Sequence, residues 1–217
     1  MIEIQNLTFG YRKGEPIFDR LTASFSAQSI AIMGKSGAGK STLLQLLQGR
    51  LRPETGKIKV LGYNLADFRS YTKISAFRRE HLGIVPQIPT FIDELDAQTN
   101  VAISAAISGT PMDKAMRQAR TMLLKCGVDP TQPVPTLSGG ERGRVAVCRS
   151  LITEPELILA DEPSAALDVP TARNIVQLLL KSPKAKSVLL VTHDEMIANM
   201  CELVVNLDEI ISHKQNS

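Results

Sequence analysis

Long apolar runs are missing from this chain. No stretch approaches the ~18 consecutive apolar residues that a membrane-spanning helix needs. Met1-Ile2-Glu3-Ile4-Gln5 lacks the basic-then-apolar order of a secretory leader. The expected location is therefore cytosolic, with any membrane contact made through a partner. An excess of charge is missing too. The 25 Lys and Arg against 22 Asp and Glu leave +3 over 217 residues, too little to argue for nucleic acid as a partner. Cysteine is scarce: Cys126, Cys148 and Cys201 are odd in number and far apart. That pattern suits a reducing compartment, excludes a CxxC zinc or iron–sulfur site, and leaves packing as the expected role of each. There is no internal repeat and no low-complexity tail.

What the chain does have is alternation of strands and helices. Ile2 and Ile4 alternate with Glu3 and Gln5, which predicts a half-buried antiparallel strand near the start, and residues 17–25 add a second. Ser29-Ile30-Ala31-Ile32-Met33 is a short apolar run ending in glycine, the pattern of a buried parallel strand. Residues 41–50 predict a helix with Leu43, Leu44, Leu46 and Leu47 inward, and 57–61 a strand after a Pro-Glu-Thr-Gly turn. From about 89 to 151 the chain reads as a helical insertion. Thr110-Pro111 predicts an N-cap with proline at the first helical position. Met112, Met116, Ala119, Leu123 and Cys126 then recur at helical spacing up to Gly127. Strands at 157–160 and 188–191, with a helix at 171–181 between them, return the pattern to that of a parallel α/β sheet.

Three segments carry chemistry. Gly34-Lys35-Ser36-Gly37-Ala38-Gly39-Lys40-Ser41 matches GxxxxGK[ST] between a predicted strand and a predicted helix. Glycines let successive backbone N–H groups converge on phosphate oxygens, and the helix N-terminus adds partial positive charge. Lys40 then reaches the β- and γ-phosphates, and the Ser41 hydroxyl ligates Mg²⁺. Ile158-Leu159-Ala160-Asp161-Glu162 is a buried strand ending in two carboxylates. Asp161 is placed to hold Mg²⁺, directly or through water, and Glu162 to polarise a water for attack on the γ-phosphate. Leu137-Ser138-Gly139-Gly140-Glu141 contains a capping box, Ser138 with Glu141, and a glycine-rich helix start that is also an anion site.

These three segments, in their chain order of phosphate loop, residues 137–141 and the carboxylate strand, resemble the nucleotide-binding subunit of ATP-binding cassette (ABC) systems, and the resemblance spans essentially the whole chain. It implies an α/β fold: a P-loop NTPase, RecA-like core over 1–88 and 152–217, with an antiparallel β subdomain and the helical subdomain of about 89–151 inserted. It implies ATP and Mg²⁺ as ligands, with residues Gly34 to Ser41 and Thr42 around the phosphates. Glu162 matches the family's catalytic base. Gln87, in Ile84-Val85-Pro86-Gln87, matches a glutamine that contacts Mg²⁺ and the attacking water. His193, in Val191-Thr192-His193-Asp194, matches the switch histidine near the γ-phosphate. Ser138, Gly139 and Gly140 match the signature that faces the nucleotide of the other subunit in a head-to-tail homodimer. Asp168, in Ala165-Ala166-Leu167-Asp168, matches an aspartate that links the two sites. Tyr11 falls where the family stacks an aromatic ring on adenine. It is preferred over Phe9 because it sits just before the Arg12-Lys13-Gly14 turn.

The chain departs from the family pattern at three places. Ala27-Gln28 replaces a Gly-Glu turn, Ala165 replaces a serine or glycine, and Gly143 stands where glutamine is usual inside the signature helix. Interior glycine costs about 0.5–1 kcal/mol against alanine, so a looser helix is expected there. Ile30-Ala31-Ile32-Met33-Gly34 and residues 78–87 resemble the lipoprotein-releasing, macrolide-export and cell-division branch. That branch implies an integral membrane permease as partner, peripheral attachment to the inner face of the membrane through it, and export or extrusion rather than uptake. The short stretch after Val204-Val205-Asn206-Leu207 leaves no room for an importer's regulatory domain. A mechanical or regulatory ATPase of the cell-division kind is the alternative. A cassette protein of translation or DNA repair fits less well, because the chain has one cassette, no long coiled-coil insertion and no cysteine-rich module. Phe91 and Ile92, after Gln87, are expected either to meet the permease or to fill the base of the helical lobe.

Overall fold

The computed structural model describes residues 2–165, 167–182 and 184–212. In chain order the strands are β1 (Ile2–Phe9), β2 (Phe18–Phe25), β3 (Ser29–Met33), β4 (Thr55–Val60), β5 (Tyr63–Asn64), β6 (Leu82–Val85), β7 (Leu157–Asp161), β8 (Ser187–Val191) and β9 (Leu203–Asn206). The α-helices are α1 (Lys40–Leu47), α2 (Tyr71–His81), α3 (Ala97–Ile107), α4 (Met112–Lys125), α5 (Gly139–Leu151), α6 (Val169–Leu180), α7 (Glu195–Ala198) and α8 (Leu207–Ser212). None is long and apolar enough to cross a membrane among the described residues. The chain divides into two compact units, Met1–Arg78 with Ser187–Ser217, and Arg79–Lys186. The helical stretch expected over 89–151 falls inside the second.

The first unit contains an antiparallel sheet in the order β2-β1-β4-β5. Ile2 faces Phe25 on one side and Val60 on the other, and Ile4 faces Ala23 and Ile58. Strict alternation stops at Asn6, where φ is 49° and the register shifts. The buried set therefore continues as Leu7 and Phe9 rather than Asn6 and Thr8. A bulge of this kind changes which face follows, and the sequence pattern alone did not foretell it. In the same unit β3 lies between β8 and β9, parallel to both, with Ile32 opposite Val191 and Val205. β3 and β8 are almost wholly apolar and buried, as expected for parallel strands covered on both faces, whereas β9 exposes Val204 and Asn206. Leu43, Leu44, Leu46 and Leu47 of α1 are all buried.

The second unit pairs β6 with β7 in parallel, Val85 opposite Ala160. Its helical core joins Ala97, Val101, Ala102 and Ala105 of α3 to Ala115, Ala119 and Leu123 of α4 and to Val145 and Cys148 of α5. Alanines at most of these contacts let the helix axes approach closely. The α4 start differs from expectation: Pro111 is the N-cap, without a side-chain cap, and the helix begins at Met112. Met112 is exposed, so the inward stripe starts at Ala115. The helix end agrees with the sequence. Gly127 has φ 67°, its N–H donates to Leu124 O at 3.1 Å, and the Val128 N–H donates to Leu123 O at 3.0 Å. That is a Schellman closure that only a left-handed residue allows cheaply. Of the three cysteines only Cys148 is fully buried; Cys126 and Cys201 are partly exposed.

Candidate functional site

In the first unit the sequence motifs converge on one strand edge. The loop from Gly34 to Gly39 leaves the C-terminal end of β3 and enters α1 at Lys40. Gly37 and Gly39 have φ of 82° and 90°. At Gly39 an added Cβ would sit 2.6 Å from Ile17 Cγ2 and 2.9 Å from the Phe18 ring, so both conformation and space require glycine. Gly39 is also the N-cap of α1 and offers no side-chain cap. The first turn of α1 thus keeps backbone N–H donors and partial positive charge for an external anion.

Lys40 is folded back over the loop, its Nζ donating to Gly34 O at 2.7 Å and to Lys35 O at 2.9 Å. The Lys35 N–H donates to Asp208 Oδ2 of α8 at 2.9 Å. Sequence reasoning missed Asp208. It is 173 residues away, and no local pattern marks it as a support for the loop. Thr42 is buried, and its Oγ1 lies 3.3 Å from the Tyr11 hydroxyl. The Tyr11 ring is 61% exposed and meets Phe9 edge-on at 5.2 Å, whereas Phe9 is buried. Of the two candidates, only Tyr11 offers a free ring face. His193 is exposed two residues beyond Val191, at the same edge that Gly34 leaves two residues beyond Ile32. The C-terminal edge of parallel strands is where ligands bind in open α/β sheets.

In the second unit Gln87 and Glu162 each follow the C-terminal end of one of two paired strands, β6 and β7. They share a cleft of about 190 Å³ with Gly139, Arg142 and Gly143 of α5. Arg142 and Gly143 are further lining residues that motif reading did not assign to the site. Glu162 has φ 45°, a left-handed conformation that costs a non-glycine residue about 1–3 kcal/mol and collects at functional sites. Its carbonyl accepts from the Ala165 N–H at 3.0 Å, which holds the turn. Asp161, one residue earlier at the end of β7, has a buried Oδ1.

The signature segment is a complete capping box. Ser138 N–H and Oγ–H each donate to Glu141 Oε2 at 2.8 Å, and the Glu141 N–H donates to Ser138 Oγ at 3.3 Å. The Ser138 backbone N–H, then its hydroxyl, holds the Glu141 carboxyl below the ordinary carboxylate range. Gly139 is exposed, and a Cβ there would meet nothing within 4 Å. The glycine therefore keeps open space over the start of α5. Asp168 caps α6: Oδ1 accepts from the Thr171 N–H and Oδ2 from the Thr171 hydroxyl, both at 2.9 Å. Those bonds, the backbone one first, lower its carboxyl too.

Phe91 takes the inner of its two expected roles. Its ring is partly buried against the helical core, with the Arg142 and Arg149 guanidinium groups 5.1 and 4.8 Å from its centre. Two cation–π contacts and packing on the core give the ring partners within its own unit. Ile88 and Ile92 are exposed instead, by 79% and 47%.

Comparison with known proteins gives a consistent set of likenesses. A family model described as ABC transporter matches residues 21–165. The lipoprotein-releasing system ATP-binding protein LolD of Chromohalobacter salexigens is 37% identical, covering 96% of this chain and 91% of its own. LolD of Coxiella burnetii is 37% identical, covering 96% and 93%. Among solved structures, the ATP-binding cassette MJ0796, a dimer in a post-hydrolysis state bound to ADP and Pi, has a TM-score of 0.86 at 28% identity, covering 95% of this chain and 94% of its own. CbiO1 of Clostridium perfringens, part of the ABC transporter complex cbiONQ, has a TM-score of 0.82 at 27% identity, covering 94% and 83%.

Proposed function

The chain belongs to the ABC transporter ATP-binding family, and we infer that it is the ATP-hydrolysing subunit of a transport complex whose membrane-spanning part is a separate protein. The observation that carries this is the loop before α1. Two left-handed glycines shape it, its helix start is uncapped, and the Lys40 ammonium is parked on its carbonyls. Such a loop wraps the phosphates of a nucleotide, and Lys40 exchanges carbonyl partners for β- and γ-phosphate oxygens.

Glu162 accepts a proton from the attacking water while the oxygen of that water forms a bond to the γ-phosphorus. The bond from the γ-phosphorus to the β–γ bridging oxygen breaks, and ADP leaves. Gln87 orients the water, and His193 hydrogen-bonds the γ-phosphate. Tyr11 stacks on the adenine. Among the described residues no cluster of three His, Cys, Asp or Glu side chains is arranged to hold a metal. The Ser41 hydroxyl, Asp161 carboxylate and Gln87 amide are hard oxygen donors of the kind Mg²⁺ accepts alongside phosphates and water. Mg²⁺ held by such donors would neutralise charge on the phosphates.

Ser138, Gly139 and Gly140 serve the γ-phosphate bound by a second copy in a head-to-tail homodimer, and Asp168 lies at that contact. The exposed Ile88 and Ile92 meet a cytoplasmic segment of the permease, which makes the protein peripheral on the inner membrane face. Its likeness to LolD favours extrusion, with a lipid-modified or amphiphilic cargo. The test is phosphate release from MgATP by the purified chain. Turnover that is absent from wild type, or unchanged in Lys40→Ala, would overturn the reading.

A further inference from the structure

We propose that Cys126 and Cys148 form a peroxide-reactive thiol pair, with Cys126 oxidised first and Cys148 resolving it, and that their disulfide fastens the end of α4 to the signature helix α5. The two Sγ atoms lie 3.4 Å apart. Cys126 is the C-cap of α4 and Cys148 lies in the last third of α5, so the pair joins two elements within the helical core of one unit. No other described pair of cysteines is in contact.

The two thiols differ in access. Cys148 is 1% exposed. Cys126 is partly exposed and lines a cleft of about 780 Å³ that also holds Arg117, Lys125, Arg144, Lys181 and Lys184. Among the described lining residues the one acid, Glu154, is paired with Lys184. Small oxidants therefore reach Cys126 first, in a basic environment. Arg144 lies one helical turn before Cys148 on α5, and its Nε is buried without a hydrogen-bond partner.

The electrostatics agree with this order. The Cys148 S–H donor, then Arg144, hold the Cys126 thiol below its ordinary value, and they do so against the partial negative charge at the end of α4. Cys148 is driven the other way, first by its bond to Cys126 and then by burial. Cys201 lies in the other unit, where burial pushes its thiol up to about 11. Thiolate character and exposure together decide which cysteine reacts.

The chemistry balances with hydrogen peroxide as oxidant. The Cys126 thiolate attacks one peroxide oxygen; an S–O bond forms, the O–O bond breaks, and the departing hydroxide leaves as water after taking a proton. The Cys148 sulfur then attacks the Cys126 sulfenic sulfur. The S–S bond forms, the S–O bond breaks, and the Cys148 proton leaves with the hydroxide as a second water. The pair loses two electrons and the peroxide gains them. Closing the gap to the ~2.05 Å of a disulfide brings the two sulfurs over an ångström closer and ties the end of α4 covalently to α5. The same helix α5 carries Ser138 at its other end. The consequence for turnover rests on the function proposed above; the thiol chemistry does not.

The full chain is treated with hydrogen peroxide, free thiols are alkylated, and peptides are mapped without reduction. The expected product is one intramolecular Cys126–Cys148 disulfide with Cys201 still alkylated. In Cys148→Ser, dimedone should capture Cys126 as the sulfenic acid. Should that variant fail to fold, brief dimedone trapping in wild type gives the same readout. Oxidation of Cys201 ahead of Cys126, disulfides chiefly between chains, or no Cys126–Cys148 bond would overturn the pair. Turnover should fall severalfold on oxidation and return with dithiothreitol. Unchanged turnover in fully oxidised protein would overturn the link to α5. Untreated protein that hydrolyses no ATP would count against the proposed function and leave the mapping result standing.

Discussion

The Tyr11 hydroxyl lies 3.3 Å from Thr42 Oγ1, in the first turn of α1. One hydrogen bond thus fixes an exposed aromatic ring beside the helix that follows the phosphate loop. The Arg12–Glu15 bridge closes the turn just beyond it. Tyr11→Ala should weaken ATP binding by roughly tenfold, in line with about 1–3 kcal/mol for aromatic stacking on a base. Tyr11→Phe keeps the ring and should lose much less. Titration with a fluorescent ATP analogue and with the corresponding triphosphate lacking a base separates the two effects. Equal affinities for Tyr11→Ala and wild type would place the adenine elsewhere.

Glu162 carries both a carboxylate at the end of β7 and a left-handed backbone. Glu162→Gln should keep MgATP binding and lose about 10²-fold or more in phosphate release, the size expected for a general base. Glu162→Gly should be just as inactive yet more stable in denaturant, by about 1 kcal/mol, because glycine adopts φ 45° without strain. An active Glu162→Gln enzyme would remove the residue as base. A destabilised Glu162→Gly would show that its conformation is not strained.

Much of this was legible in sequence because it is local. The phosphate loop, the β7 carboxylates and the capping box are each set by neighbours within a few residues. The Asn6 bulge was hidden, since Asn at that point in an alternating run does not announce a positive φ. Helix α2 buries only Ile74 and Phe77 among the described residues, too little to raise a helical period. The hold of Asp208 on Lys35 spans 173 residues. In sequence Phe91 read equally as a docking residue or as core, because it and Ile92 are apolar and closely follow Gln87. Its two arginine partners come from α5, more than fifty residues on, and they turn it inward.

Gly143 illustrates the same point inside α5. Composition predicts a loose helix there. However, a Cβ at Gly143 would lie 3.0 Å from Ile175 Cδ1 of α6, so the glycine serves a close helix crossing. Gly143→Ala should therefore fall short of the ~1 kcal/mol that helix propensity alone would add. Combining it with Ile175→Val should recover part of that gain, seen as a favourable coupling in a double-mutant cycle. A full gain from Gly143→Ala alone would show that Ile175 yields freely.

Acid stability should depend on Glu156. Its Oε1 lies 2.6 Å from His81 Nδ1, and Lys186 holds its other oxygen. The Lys186 bond, then that from His81, puts the carboxyl below its usual 4.5. A depressed folded value means that the contribution is complete above the unfolded pKa. It is then lost as pH falls through the folded one. Glu156→Gln should be less stable than wild type at neutral pH, and the two should converge below about pH 4. Parallel curves through the acid range would show that this carboxylate adds nothing.

A composite site shared between two chains makes the sharpest demand on the proposed homodimer. Lys40 belongs to the loop before α1 and Ser138 caps α5. If each nucleotide uses the Lys40 of one copy and the Ser138 of the other, the two lesions complement in one direction only. Mixing Lys40→Ala chains with Ser138→Arg chains puts both lesions into one site and leaves the second intact. Each variant alone carries one lesion in every site. ATP-dependent dimers, read by size-exclusion chromatography with light scattering, should therefore appear in the mixture and in neither variant alone. The result is clearest in a Glu162→Gln background, where bound ATP is not consumed. Equal loss of dimer in all three samples would mean that Lys40 and Ser138 act on a nucleotide within one chain.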